Sequence, residues 1–122
     1  MQDFIMNDRG HGDTTLKLNN KAFQDRDGFI IFYSPKCPHC VQFAPTVKQL
    51  ANKLSKVLSV GTVNCDDVVN GNNILADMYN ISYLPMIKYY NHLTGEFIDY
   101  TKGRDINELL TWLCQVRNIC HA

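Results

Sequence analysis

The stretch Phe32-Tyr33-Ser34-Pro35-Lys36-Cys37-Pro38-His39-Cys40 decides the fold of this chain. The apolar run from Phe29 to Tyr33 comes directly before the two cysteines and predicts a strand that is buried on both faces. Apolar residues at helical spacing come after them and predict a helix over about Pro38 to Ser55. The chain therefore passes from a strand through a tight turn into a helix, and Cys37 lies at the helix start.

This position predicts an unusually acidic thiol at Cys37. A helix N-terminus exposes unpaired N–H groups and the positive end of the helix dipole, and both stabilise a thiolate. Lys36 and His39 lie beside it in the sequence. Cys40 follows one helical turn later, within reach of a disulfide with Cys37. We expect a reactive pair in which Cys37 attacks disulfides; an inert structural thiol or disulfide is the alternative.

Length and composition indicate an ordinary globular protein. The chain has 122 residues, of which 45% are hydrophobic, so we expect a flexible lead-in over residues 1–13 and one domain over 14–122. Twelve Lys and Arg are scattered and balanced by twelve Asp and Glu, which argues against nucleic-acid binding. No apolar run approaches the length of a membrane span, so we expect no membrane contact.

The expected location follows from the absence of targeting signals in the sequence. Residues 1–15 contain no apolar segment typical of a secretion signal, and the last residues do not form a retention tetrapeptide. We expect a cytoplasmic protein or one packaged in a virion. A composition that favours Asn, Ile, Lys and Tyr suits an AT-rich genome, including that of a large DNA virus.

The rest of the chain predicts alternating strands and helices. The order is β α β α β α β β α, which indicates an α/β fold with a small mixed sheet and helices on both faces. The elements beside the cysteine turn are a strand over 14–18, a short helix over 19–24, a strand over 57–66, a short helix over 74–79, strands over 86–90 and 97–100, and a last helix to about 118 that begins at a capping box formed by Asp105 and Glu108.

Taken together, these features resemble the thioredoxin fold, and more closely the catalytic domains of protein disulfide isomerases. The motifs that carry the resemblance are 32–40 with Phe43-Ala44-Pro45, Val63-Asn64-Cys65-Asp66, Tyr79-Asn80-Ile81 followed by Leu84-Pro85, and Tyr100-Thr101-Lys102-Gly103-Arg104. The resemblance implies a sheet of four to five strands and no cofactor or metal. It also implies that Cys37 is the nucleophile and Cys40 the resolving thiol.

The same resemblance implies the surroundings of the cysteine pair. The Leu84–Pro85 peptide should be cis and face the thiols, with Leu84, Pro85 and Lys36 binding the substrate. Arg104 stands where the isomerases have an arginine that lowers the pKa of the second cysteine; an exposed arginine paired with nearby acids is an equal alternative.

This chain departs from the isomerase pattern at several positions. It has Lys36 where the isomerases have tryptophan, and Met86 where threonine often follows the proline. Pro38 and His39 between the cysteines are similar to the pair in DsbA, a bacterial disulfide oxidase. We expect His39 to tune the Cys37 thiolate, although a surface residue without a role is the alternative.

Three further cysteines leave several possibilities open. Cys65 lies on a strand and is expected to pack in the interior. Cys114 and Cys120 are six residues apart and do not share one helical face. We expect Cys114 to point toward the core or to be partly buried, and Cys120 to lie near a frayed end. A second disulfide, an intermolecular link through Cys120 or a metal site with His121 are less expected.

Three functions fit the sequence. The first is a thiol–disulfide oxidoreductase that exchanges disulfides with protein substrates and an unidentified redox partner, in the direction of oxidation or isomerisation. The second is a thioredoxin-fold binding or chaperone module with little turnover, because Ile31 stands where the family has a buried acid. The third is a metal protein that uses Cys37, Cys40, Cys120 and His121. The sequence gives no subunit number.

Overall fold

The structure is a computed structural model that describes residues 26–69 and 71–120. Its strands and helices are β1 (Gly28–Tyr33), α1 (Pro38–Leu54), β2 (Ser59–Asn64), α2 (Asn72–Met78), β3 (Met86–Asn91), β4 (Glu96–Tyr100) and α3 (Ile106–Arg117). The lead-in, strand and helix expected before residue 25 lie outside the described residues. Within the described part, no helix is long and apolar enough to cross a bilayer.

The four described strands form one mixed sheet in the order β2-β1-β3-β4. β1 pairs parallel with β2 and antiparallel with β3, and β3 pairs antiparallel with β4. All six residues of β1 are buried, as its continuous apolar run predicts. β1 therefore lies inside the sheet, bonded on both sides, and carries the turn that leads to the cysteines.

Helices cover both faces of this sheet, as the sequence predicts. Phe29, Ile31 and Tyr33 of β1 pack into a core with side chains of α1 and α3. Ile30 and Phe32 point to the opposite face, where they pack with residues that include Leu75 of α2. The alternation of neighbouring side chains along a strand places the two sets on opposite faces. The α/β thioredoxin-like architecture is confirmed.

Two elements begin two residues away from their predicted starts. β2 begins at Ser59 because Val57 still belongs to the turn that ends α1: the N–H groups of Val57 and Leu58 both donate to the Leu54 carbonyl, at 2.9 and 3.0 Å. α2 begins two residues before Ile74, at Asn72. Asn72 is buried and its side-chain amide donates to the Asn64 carbonyl at 2.9 Å, which ties this helix to the end of β2.

A buried ionic network joins the beginning of β1 to the end of α3. The Asp27 carboxylate is 2% exposed and accepts hydrogen bonds from Arg117 Nε at 2.7 Å, from the His92 N–H at 3.0 Å and from the Tyr89 hydroxyl. Burial alone would raise the pKa of Asp27, but the hydrogen bonds from Arg117, His92 and Tyr89 outweigh it and hold that pKa well below its usual range. The sequence analysis missed this network.

Replacement of Asp27 by Asn should destabilise the protein by about 3 kcal/mol at neutral pH, because it leaves the Arg117 guanidinium without its counter-ion. The folded-state pKa of Asp27 is lower than its unfolded value. The stability that the carboxylate contributes is therefore complete above the unfolded pKa of about 4, and it is lost as the pH falls further toward the folded pKa. Urea unfolding of the wild type and of Asp27→Asn between pH 7 and pH 3 measures the difference in their free energies of unfolding.

Asp77→Asn is the matched control, because Asp77 is exposed on α2. Its effect should stay within about 0.5 kcal/mol. A cost of Asp27→Asn that is as small as that of Asp77→Asn, or that grows as the pH falls below 4, would contradict the assignment.

Candidate active site

The turn after β1 places Cys37 at the N-cap of α1, directly before its first residue. The Cys37 N–H donates to the Ser34 carbonyl at 3.1 Å, and the Cys37 carbonyl accepts from Val41 at 3.0 Å as the first bond of the helix. Cys37 itself has an extended backbone and is the N-cap. Pro38 follows as the first helical residue, where a proline costs no hydrogen bond. The sequence-based placement of Cys37 at the helix start is confirmed.

The environment lowers the pKa of the Cys37 thiol. The largest cause is a hydrogen bond from the backbone of Cys40, and smaller contributions come from the Cys40 thiol, the His39 backbone and the charge of Arg104, while burial opposes them. These backbone groups are the unpaired N–H groups of the first helical turn. His39 thus acts on Cys37 through its main chain, and its side chain is exposed.

Cys40 has the opposite character. It is fully buried, and burial together with the neighbouring Cys37 raises the pKa of its thiol to about 11, although the Ser34 backbone and Arg104 lower it in part. Cys40 packs in the same core as Ile31, the fully buried residue at the position where the isomerases have an acid. The two thiols therefore differ: Cys37 ionises first and Cys40 keeps its proton.

The loop before β3 faces this pair. The Leu84–Pro85 peptide is cis, as the resemblance implies. The Cys37 thiol donates to the Leu84 carbonyl across 3.7 Å. We expected the Leu84 backbone to be free for a substrate, but in the thiol form Cys37 occupies its carbonyl. That carbonyl becomes available when Cys37 ionises or forms a disulfide.

A groove of about 260 Å³ lies beside the cis peptide. The residues that line it include His39, Tyr83, Leu84, Pro85, Tyr100 and Arg104. Tyr83 in this groove is 52% exposed, and Val41, one turn beyond Cys37 on α1, is 45% exposed. Lys36 is exposed directly before Cys37 but does not line this groove. Of the expected substrate-binding residues, the structure brings together Leu84 and Pro85.

Arg104 is held at the groove by the preceding glycine. The Gly103 carbonyl accepts from the Tyr100 hydroxyl, and the Gly103 N–H donates to Glu108 Oε2 at 3.2 Å. A Cβ at Gly103 would lie 2.2 Å from Glu108 Oε1, so a larger residue here would displace the end of the Glu108 side chain. Glu108 thus departs from the predicted capping box, in which it would bond the N-cap backbone. Asp105 caps α3 as predicted, by accepting from the Asn107 N–H at 3.0 Å.

Ser34 organises the turn, and the sequence analysis did not single it out. Its hydroxyl donates to Asp66 Oδ2 at 2.6 Å and accepts from the Lys36 N–H at 3.2 Å. Ser34 is only 8% exposed. These bonds tie the turn before Cys37 to the loop after β2. The adjacency of Ser34 to the cysteine motif is the one signal in the sequence that could have found it.

The other three cysteines divide into one thiol and one disulfide. Cys65 is half-buried against the core on the α2 face, and burial raises the pKa of its thiol to about 11, in accord with a packing role. Cys114 and Cys120 form a disulfide with their Cα atoms 4.4 Å apart. The expectation of two separate thiols was wrong.

The reason is the end of α3. The helix stops at Arg117, and Asn118 takes a left-handed conformation with φ of 58°, which turns the chain back toward Cys114. While it is bonded to Cys114, Cys120 is not a free thiol that could ligate a metal with Cys37 and Cys40 or pair directly with a thiol of another chain. His121 lies outside the described residues. Over 26–69 and 71–120, no cluster of three or more His, Cys, Asp or Glu could hold a metal.

Known proteins share this arrangement. The family model Thioredoxin matches residues 14–115. The chain is 33% identical over 88 residues to protein disulfide-isomerase 1 of Dictyostelium discoideum, and 30% identical over 91 residues to protein disulfide-isomerase MPD1 of Saccharomyces cerevisiae. These matches cover 70% and 73% of this chain but 23% and 28% of those proteins. The chain thus spans about a quarter of the length of these curated relatives.

A solved structure is similar to this chain in fold. The J-Trx1 fragment of ERdj5 superimposes with a TM-score of 0.69 at 25% identity, over 91% of this chain and 50% of that one. The fold and the paired cysteines at a helix start define a thioredoxin-fold protein with isomerase-like relatives. The chain belongs to the thioredoxin family.

Cys37 should be alkylated by iodoacetamide at a lower pH than any other thiol of the protein. Its thiolate is stabilised by the helix start, whereas the pKa values of Cys40 and Cys65 are about 11. Rates against pH, with each site identified by mass spectrometry, measure this order. Cys65 is the internal control, and a Cys37 midpoint at or above the ordinary thiol value of about 8.5 would contradict the prediction.

Ser34→Ala should raise the pH at which Cys37 is alkylated, because the turn loses the hydroxyl that accepts from Lys36 and anchors to Asp66. The same variant should lose about 1 kcal/mol of stability. Asp66→Asn is the matched control, since an amide still accepts the Ser34 hydroxyl but carries no charge. If both variants shift the midpoint equally, the charge of Asp66 matters and the positioning role of Ser34 is wrong.

Proposed function

We propose that this protein is a thiol–disulfide oxidoreductase that acts on protein substrates through Cys37 and Cys40. The observation that carries the proposal is the contrast between the two thiols. Cys37 has a lowered pKa at the helix start beside the cis Leu84–Pro85 peptide, and Cys40 is buried with a pKa of about 11. Disulfide exchange of this kind needs a nucleophilic thiolate and a second thiol that stays protonated until it resolves the mixed disulfide.

The reaction proceeds in two exchanges. The Cys37 thiolate attacks one sulfur of a substrate disulfide, and the other substrate sulfur leaves as a thiolate and takes up a proton. Cys40 then loses its proton and attacks Cys37 Sγ, which releases the second substrate thiolate and leaves a Cys37–Cys40 disulfide. Two electrons pass from the protein to the substrate. The same steps in reverse oxidise a substrate dithiol.

The surface around Cys37 supports a polypeptide as the substrate. Once Cys37 is ionised, the Leu84 carbonyl can accept a main-chain N–H from an extended segment. Tyr83, which lines the groove beside Leu84, and Val41, one turn beyond Cys37, expose apolar surface. The protein disulfide isomerases among the relatives are consistent with this substrate class.

The interactions that lower the pKa of Cys37 favour oxidation or isomerisation over reduction. Every interaction that stabilises the Cys37 thiolate stabilises the reduced pair, and therefore makes the Cys37–Cys40 disulfide a stronger oxidant. The His39 backbone and the Arg104 charge both act in this direction. We assign His39 and Arg104 a tuning role on this basis, while Arg104 also lowers the high pKa of Cys40.

A second candidate is a binding module with little turnover, and Ile31 favours it. Cys40 must lose a proton before it can resolve a mixed disulfide, and the residue at the family's acid position is an isoleucine that is fully buried. Asp27, a buried acid directly before β1, is held by Arg117 and lies at the opposite end of that strand from the cysteines. Resolution should therefore be slow at neutral pH, and slow release would leave mainly the binding of unfolded chains.

Refolding of reduced ribonuclease and reduction of insulin test the proposal. The wild-type protein with a glutathione buffer should restore ribonuclease activity at least about tenfold faster than Cys37→Ser, and its effect on insulin reduction should be smaller. Cys40→Ala should retain substrates as mixed disulfides that survive alkylation and are identified by mass.

Cys65→Ser is the matched control, because Cys65 is a half-buried thiol outside the site. It should behave as the wild type in both assays. Equal rates for the wild type and Cys37→Ser, together with suppressed aggregation of unfolded chains, would leave the binding module as the function.

A further inference from the structure

The Cys114–Cys120 disulfide lies on the surface at the end of α3. Cys120 is exposed and Cys114 is half-buried. The disulfide borders a groove of about 560 Å³ whose other lining residues are Asn107, Leu110, Thr111 and Gln115. An attacking sulfur can therefore approach Cys120 from solvent.

This bond is not the only contact that holds its turn. The Asn118 N–H donates to the Cys114 carbonyl at 3.0 Å, Arg117 binds the buried Asp27 carboxylate, and Ile119 packs against the core. A disulfide between residues six apart also closes a short loop, so it constrains the unfolded chain less than one that closes a long loop. Exposed disulfides are the kind that takes part in exchange.

The two cysteine pairs of one molecule cannot meet. Arg104 lies at the groove beside Pro85, and α3 begins two residues later. Cys114 is eight residues further along this straight element, which corresponds to about 12 Å at 1.5 Å per residue. Exchange requires the sulfurs to be in bonding contact, so a Cys37 that reacts with this disulfide must belong to another molecule.

We propose that Cys114 and Cys120 are a second redox-active pair, which exchanges electrons with the Cys37–Cys40 pair of another copy of this chain. Cys120 is exposed in the turn after α3 and outside any helix or strand, so the Cys37 of a second molecule can reach it from solvent. This inference rests on the proposed function, because it uses Cys37 as an exchange nucleophile.

The exchange is balanced. The Cys37 thiolate of one copy attacks Cys120 Sγ of the other, the Cys114–Cys120 bond breaks, and Cys114 leaves as a thiolate that takes up a proton. Cys40 then loses its proton and attacks Cys37 Sγ, which releases Cys120. One dithiol is oxidised, one disulfide is reduced, and two electrons and two protons are transferred. The reverse sequence oxidises the Cys114/Cys120 dithiol at the expense of the Cys37–Cys40 disulfide.

Two double variants isolate the pairs. The first carries Cys114→Ser and Cys120→Ser and retains only the active-site pair; the second carries Cys37→Ser and Cys40→Ser and retains only the pair on α3. They are mixed once with the first reduced and the second oxidised, and once in the opposite states. Alkylation and mass spectrometry count the thiols at each site, and Cys65 is the constant internal reference.

In at least one direction, each molecule that loses two thiols should be matched by one that gains two. The rate of thiol–disulfide exchange between the two variants should fall at least about tenfold when the first variant also carries Cys37→Ser. A first variant with Cys40→Ser should accumulate a heterodimer linked between Cys37 and Cys120. No transfer in either direction, or a link to another cysteine, overturns the proposal.

Ribonuclease refolding by the first variant separates the two proposals. If that variant restores ribonuclease activity faster than Cys37→Ser but leaves the second variant unchanged, the inference fails and the proposed function stands. If it does neither, both fail. Should the first variant not fold, the wild type answers the question: in a dithiothreitol series at neutral pH, Cys114 and Cys120 must become alkylatable under conditions that keep the near-ultraviolet dichroism native. A pair that opens only on unfolding overturns the inference.

Discussion

The position of the active site depends on where β1 ends and in which direction the chain leaves it. β1 is hydrogen-bonded on both sides and buried on both faces, so the position and direction of Tyr33 are determined by the sheet as a whole. The turn from Ser34 to Cys37 links the end of β1 to the start of α1. It therefore fixes the Cys37 sulfur at the helix N-terminus. Local reactivity is thus a consequence of long-range strand pairing.

The difference between the two thiols has one common origin in the helix. Its first turn points N–H groups at Cys37, and its inward face carries Cys40 into the core beside Ile31. A single turn of helix therefore supplies both a stabilised thiolate and a thiol with a raised pKa. The apolar core that makes the fold stable is the same medium that keeps Cys40 protonated.

Much of this architecture could be predicted from the sequence, because its causes are local. The apolar run of β1, the spacing of Cys37 and Cys40, and the proline at position 85 each act through neighbours in the chain or through a pattern that recurs in the family. The sequence order of strands and helices then leaves few ways to build the sheet.

What could not be predicted depends on contacts between distant residues or on where an element stops. Asp27 and Arg117 are 90 residues apart, and each has the appearance of a surface charge in the sequence. The Cys114–Cys120 bond was missed because we extended a regular helix to Asn118, whereas that residue reverses the chain. The Ser34–Asp66 bond joins two loops whose approach only the parallel pairing of β1 and β2 determines.

The separation along β1 has a further consequence. The Asp27 network lies before its first residue and the thiols after its last, about 20 Å apart for six residues of strand. Substitutions at one end therefore have no shared partners with those at the other, and their effects should add. A laboratory selection could change the thermal tolerance of this scaffold and the electron affinity of its cysteines as two independent traits.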